Sequence, residues 1–178
     1  MNKPANVVTR YEGKWIRFVD KDGWEYVERI GISGVVCIAA VTPENKLVLV
    51  EQARPALGAT TIELPAGLVG DEPGHENEHH QHGAERELLE ETGYEAAEWS
   101  YLTEGPASSG LTSEVITFFM ARGLRKVGKG GGVQNESIMV HEIPLAEIQT
   151  WLEVKAKAGF IIDPKVFTGL YFVGLSES

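Results

Sequence analysis

Apolar and polar positions alternate over residues 14–19 and 24–30, and the intervening Asp20-Lys21-Asp22-Gly23 ends in an Asp-Gly pair suited to a tight turn. This predicts a polar hairpin. Two continuous apolar runs follow, residues 34–41 and 46–51, separated by the turn Thr42-Pro43-Glu44-Asn45. Strands apolar on both sides fit the covered centre of a sheet. Residues 61–65 predict another short strand, 70–83 a polar loop, and 84–92 a helix stopped by Gly93. Residues 115–121 and 138–143 read as strands on either side of Gly128-Lys129-Gly130-Gly131-Gly132, whose composition predicts a very flexible link. After Pro144, residues 145–157 carry an amphipathic helix pattern, and 164–175 read as a second helix despite their glycines. No internal repeat is found. The order of elements predicts an α/β (α+β) fold in which helices pack on a mixed sheet.

Composition narrows the function. A chain of 178 residues with 43% apolar content is sized for one core. Its formal charge of -10, from 16 basic against 26 acidic residues, would repel a nucleic-acid backbone, and no basic patch offsets it. The longest apolar stretches fall well short of a membrane span, and MNKPANVVTR lacks the apolar run of a signal peptide. The expectation is a soluble cytoplasmic protein without nucleic-acid or membrane partners. The single cysteine, Cys37, lies in the apolar run and reads as core packing. His75, His79, His80 and His82 cluster with Glu76 and Glu78; a metal-binding loop is one reading, and a solvated insertion is the expected one.

The chemistry concentrates in Arg86-Glu87-Leu88-Leu89-Glu90-Glu91-Thr92-Gly93-Tyr94. On a helix advancing about 100° per residue, Glu87, Glu90 and Glu91 share one arc of roughly 100°. Like charges at these spacings cost about 0.2–0.5 kcal/mol per pair, so the cluster suits a cation that neutralises it. A merely solvated acidic face is the plainer alternative.

The wider pattern decides between them, because these residues resemble the signature of the Nudix hydrolases: Arg-Glu, an aliphatic residue, any residue, Glu-Glu, any residue, Gly and an apolar residue. Gly67, in Glu63-Leu64-Pro65-Ala66-Gly67-Leu68, resembles its opening glycine, and Glu78 its upstream glutamate. The interval between Gly67 and Glu78 is five residues longer than the family's pattern, so Glu72 and Glu76 compete for the role of Glu78. The resemblance implies a Nudix fold, a mixed sheet sandwiched between helices, with an N-terminal β segment at 1–33 and the hydrolase domain at 34–178. It implies Mg2+, with Mn2+ as a substitute, held by Glu87, Glu91 and the backbone carbonyl of Ala66. Glu90 would ligate or support a further ion, and Glu78 would brace Arg86.

Glu51-Gln52-Ala53-Arg54-Pro55 and the segment around Pro65 resemble the branch that acts on ADP-ribose and other nucleoside diphosphate sugars. That likeness implies Arg54 as a pyrophosphate clamp and Trp24 as a base-stacking residue. It also implies a substrate loop carrying Ser109, Gly110 and Glu114, a catalytic Glu136 on a mobile loop, and a homodimer formed by exchange of the N-terminal strands. Relatives specific for ADP-ribose carry proline where Ser109 stands, which implies a looser loop here and a substrate range extending to ADP-glucose or GDP-mannose. No Gly-x-Ser-x-Gly elbow, complete P-loop or Cys-His pair suggests another enzyme class. The competing reading is a non-catalytic sensor of nucleotide sugars; it would require lost box carboxylates, and all are intact.

Overall fold

The computed structural model describes residues 6–71, 74, 76–132 and 137–176. Three antiparallel strands come first, β1 (Val7–Glu12), β2 (Ile16–Lys21) and β3 (Trp24–Arg29), and form a separate sheet in the order β1-β2-β3. Between β2 and β3 the turn rests on Asp22 and Gly23, with φ of 54° and 89°, the left-handed pair that matches strand twist in a two-residue hairpin.

The main body contains β4 (Gly34–Ala40), β5 (Lys46–Arg54), β6 (Ala59–Glu63), β7 (Ala66–Val69), β8 (Tyr94–Pro106), β9 (Val115–Lys126), β10 (Met139–Pro144) and β11 (Ile161–Ile162). Helices α1 (His80–Thr92), α2 (Ile148–Lys157) and α3 (Pro164–Ser176) complete it. The strands make two mixed sheets, β7-β4-β9-β8 and β10-β5-β6-β11, with β4 parallel to β9 and β11 parallel to β6.

Strand β4 shows why the apolar runs are continuous. Val36, Ile38 and Ala40 pack with Ala84 and Leu88 of α1, while Cys37, Ala39 and Val41 pack with Val166 and Val173 of α3. Helices therefore cover both faces, and neither face tolerates a polar side chain. Cys37 is fully buried and acts as core, its thiol pushed upward in pKa by that burial. Among the described residues, no helix is long and apolar enough to cross a membrane.

The departures from the sequence reading have identifiable causes. Helix α1 begins at His80, not residue 84: His79 caps it by accepting from Gln81 N–H, and Gly83 lies inside the helix where a side chain would strike Val69. In strand β8, Tyr94–Pro106, apolar residues fall without a strict alternation, and the strand is fixed by its pairing with β9 along most of its length. Strands β1 and β7 are likewise set by pairing, with β2 and β4. The glycine run at 128–132 is no free link: Gly131 and Gly132 donate to backbone carbonyls of α1.

Glu51 joins three elements, accepting from Lys155 Nζ of α2 at 2.8 Å and lying 2.9 Å from His141 Nε2 of β10. Burial raises its pKa, but Lys155 and His141 outweigh that and hold the carboxyl below its ordinary value. A carboxyl whose pKa falls on folding stabilises the fold fully above its unfolded value and progressively less as pH drops through the folded value. We expect Glu51→Gln to lose about 1–3 kcal/mol at pH 7 in urea unfolding, with the gap to wild type closing near pH 3. A gap independent of pH would show that the ionised carboxylate contributes nothing specific.

Candidate active site

Helix α1 presents its charged face to β7 and to the loop that follows it. Arg86 lies at the centre: Nη2 donates to Leu68 O at 2.8 Å, and Nη1 donates to Glu87 Oε1 at 2.9 Å and Glu90 Oε2 at 3.3 Å. Glu78 Oε2 and Asp71 Oδ1 approach Nη2 at 3.5 and 3.6 Å. Burial works against the guanidinium's charge, but Glu87, Glu90 and Glu78 outweigh it and raise its pKa further. The structure thus brings Glu78 to Arg86 despite the longer loop, and Glu76 instead accepts from Gly74 N–H. Glu72 lies outside the described residues.

Glu87 and Glu91 face the strand. Glu91 is buried and its Oε2 accepts from Ala66 N–H at 3.1 Å. Glu87 lies over Gly67, where an added Cβ would sit 1.9 Å from the Glu87 carboxyl carbon. Any larger side chain here would have to displace the Glu87 carboxylate from the strand. Burial pushes the Glu87 carboxyl up to about 7, with Arg86 opposing the shift and Glu90 adding to it.

The residues expected on the substrate side fall in two places. Arg54 ends β5 and grips Glu63 with two parallel bonds, from Nε and Nη2 at 2.6 Å each. These use two of five guanidinium N–H groups, and the side chain is 43% exposed, so its outer edge still faces solvent. Trp24 is 65% exposed at the start of β3. The connection holding Ser109 and Gly110 is tied to that same strand, because Val27 N–H donates to Leu111 O at 2.8 Å and Ser113 N–H to Val27 O at 3.3 Å. Glu114 pairs with Arg29 of β3, and both line a cleft of about 390 Å³ with Ser33, His80, Glu104 and Thr117. The Glu114 carboxylate of the expected substrate loop is thus paired with Arg29, and the cleft they line lies apart from the box glutamates. Arg29 carries no sequence signal, since an arginine ending a polar strand is common. Glu136 lies outside the described residues.

A family model described as the NUDIX domain matches residues 32–163, which include every one of these carboxylates and Arg54. This chain belongs to the Nudix family. It is 33% identical over 148 residues to a protein named methanol dehydrogenase activator from Bacillus methanolicus, covering 82% of this chain and 74% of that one. It is 32% identical to an ADP-ribose pyrophosphatase from Bacillus subtilis (strain 168), with the same coverage. A GDP-mannose pyrophosphatase from Salmonella arizonae is 32% identical over 154 residues, covering 82% of this chain and 75% of that one. The crystal structure of an ADP compounds hydrolase superposes with a TM-score of 0.69 over 94% of this chain and 89% of the other, at 22% identity, and shows the shared fold.

Among the described residues no three His, Cys, Asp or Glu side chains form a ready metal site, because Glu87 and Glu90 turn onto Arg86 and Glu91 onto Ala66. The expected set of Glu87, Glu90, Glu91 and Ala66 is therefore adjacent but not assembled. The donor chemistry still fits: Mg2+ needs only one or two carboxylates beside water and phosphate oxygens. Of the histidines, His80 Nδ1 lies 2.9 Å from Thr117 Oγ1, while the His79 and His82 rings stand edge to face. His75 lies outside the described residues.

We expect Gly67→Ala to push the Glu87 carboxylate off β7 and cut turnover about a hundredfold, the scale of an ångström-sized misplacement. Steady-state kinetics beside thermal unfolding decide this; wild-type turnover in the folded variant would remove Glu87 from the site.

Proposed function

We propose that the protein hydrolyses the pyrophosphate of nucleoside diphosphate sugars, ADP-ribose and GDP-mannose among them, to a nucleoside monophosphate and a sugar phosphate, with Mg2+ or Mn2+ as cofactor. The observation that carries this reading is the buried pair Glu87 and Glu91 set against Gly67 and Ala66. The names of the relatives supply the substrate class.

In this reading Glu87, Glu91 and the Ala66 carbonyl would hold the ion, with Glu90 in support, and the ion when bound would supply charge neutralisation to the phosphates and the attacking water. Arg86 keeps the carboxylates of Glu87 and Glu90 turned to one side of the helix. Arg54 offers its outer N–H groups to phosphate oxygens, and Glu63 fixes the plane of its fork. Trp24 stacks on the base, while Ser109, Gly110 and Glu114 border the sugar. Glu136 takes the proton from the attacking water as general base.

A homodimer in the cytoplasm completes the reading. Val7, Tyr11, Trp15 and Ile16 are exposed on or beside the N-terminal sheet, an apolar surface that a second copy would cover. The absence of proline at Ser109 supports the wide range of sugars.

The deciding experiment is a panel of nucleoside diphosphate sugars, dinucleotides and nucleoside triphosphates at one Mg2+ concentration, with product identification. We expect efficiencies for several sugars within about two orders of magnitude, or about 2.7 kcal/mol, of one another. Preference for triphosphates would defeat the substrate assignment, and full activity after exhaustive chelation would defeat the metal. We further expect Glu91→Gln to lower kcat by about two or more orders of magnitude with the fold retained. Glu136→Gln should lower kcat more than it raises KM. Unchanged kcat in the Glu136 variant would place the general base elsewhere.

A further inference from the structure

The last turn of any α-helix leaves four carbonyls without helical partners. In α1 those belong to Leu89, Glu90, Glu91 and Thr92, and each accepts a hydrogen bond. Gly93 N–H donates to Leu89 O at 2.8 Å, Gly132 N–H to Glu90 O at 3.1 Å, Gly131 N–H to Glu91 O at 2.7 Å, and Lys126 Nζ to Thr92 O at 2.7 Å. Val127 and Gly128 N–H both donate to Gly93 O, at 2.9 and 3.0 Å. Apart from Gly93 itself, every donor comes from the end of β9 and the glycine run that follows it.

The approach is closer than any side chain permits. A Cβ on Gly130 would lie 2.4 Å from the Thr92 carbonyl carbon and 2.6 Å from Glu91 O, and one on Gly93 would lie 2.2 Å from Gly128 O. Both glycines also hold positive φ, 65° and 71°. Gly93 and Gly130 are spacers for backbone contact. Lys126 adds a cation at the negative end of the helix, with its ammonium 4.4 Å from the centre of the Tyr94 ring.

We propose that residues 126–132 are a positioning clamp that fixes the turn bearing Glu90 and Glu91, with Gly130 the residue that makes the clamp possible. The clamp grips backbone carbonyls of the very residues whose carboxylates face Arg86 and Ala66. Losing it frees the terminal turn to fray, and the carboxylates move with the backbone. This rests on the reading of α1 as the metal-bearing helix.

The test is direct titration of Mn2+ onto the full chain, without substrate, for wild type, Gly130→Ala, Lys126→Met, Lys126→Arg and Gly105→Ala. Gly105 has nothing within 4 Å of an added Cβ and serves as the control. We expect Gly130→Ala to weaken Mn2+ binding about tenfold or more, the scale seen when groups supporting metal ligands are removed. Its kcat should fall while KM stays near wild type. Lys126→Met should weaken Mn2+ binding less, Lys126→Arg should restore it, and Gly105→Ala should match wild type. A folded Gly130→Ala protein with wild-type Mn2+ affinity overturns the clamp. If that variant does not fold, Lys126→Met decides: weakened binding supports the clamp, and unchanged binding overturns it. A wild-type chain that binds no Mn2+ overturns the metal reading and the clamp with it. A wild-type chain that binds Mn2+ but cleaves no nucleotide sugar defeats only the substrate reading.

Discussion

Everything around α1 depends on one electrostatic constraint, the gathering of several carboxylates about a single half-buried guanidinium. Glu78, Glu87 and Glu90 approach Arg86 from the loop and the helix, and Glu91 is buried beside them. Removing a carboxylate from water is costly unless charge and hydrogen bonds replace the lost hydration. Arg86 donates to Glu87 and Glu90, and the Ala66 N–H donates to Glu91. Burial raises the Glu87 carboxyl to about 7 even beside Arg86. In the proposed reading a bound cation would offset that penalty.

The remainder of the architecture holds that helix still. Strand β4 is buried on both faces, between α1 and α3, so α1 rests on a surface that cannot yield without opening the core. Gly67 and Gly83 let the helix and β7 approach closely at two levels, one beneath Glu87 and one beneath the first turns. The 126–132 segment then holds the far end. Contact along the whole length of α1 is what turns a row of acidic residues into a fixed geometry.

The substrate side is organised differently. The N-terminal sheet has little core of its own, and among its side chains Val19 is the fully buried hydrophobe. It is joined to the main body through Val27 and the Arg29–Glu114 pair, which bind it to the connection carrying Ser109 and Gly110. In the proposed reading, the residues that meet the substrate thus sit on the sheet with little core and its attached connection, while the carboxylates sit on the helix packed against β4.

Much of this was legible in the order of residues. The double-sided apolar runs of β4 and β5, the Asp22-Gly23 turn, the Gly93 stop and the helical carboxylate spacing are local features, and local physics suffices to read them. What lay beyond reach was set by partners distant in the chain. Strand β8 exists because β9 lies beside it; Glu78, not Glu76, meets Arg86 because of how the longer loop folds; and Arg54 is oriented by Glu63 across a strand pair. The glycines at 128–132 show the divide most plainly. Composition reads them as a flexible link, because composition registers only the freedom of an isolated chain. Tertiary structure makes them a rigid contact, because the same missing side chains that free a backbone also let it lie directly against the end of α1.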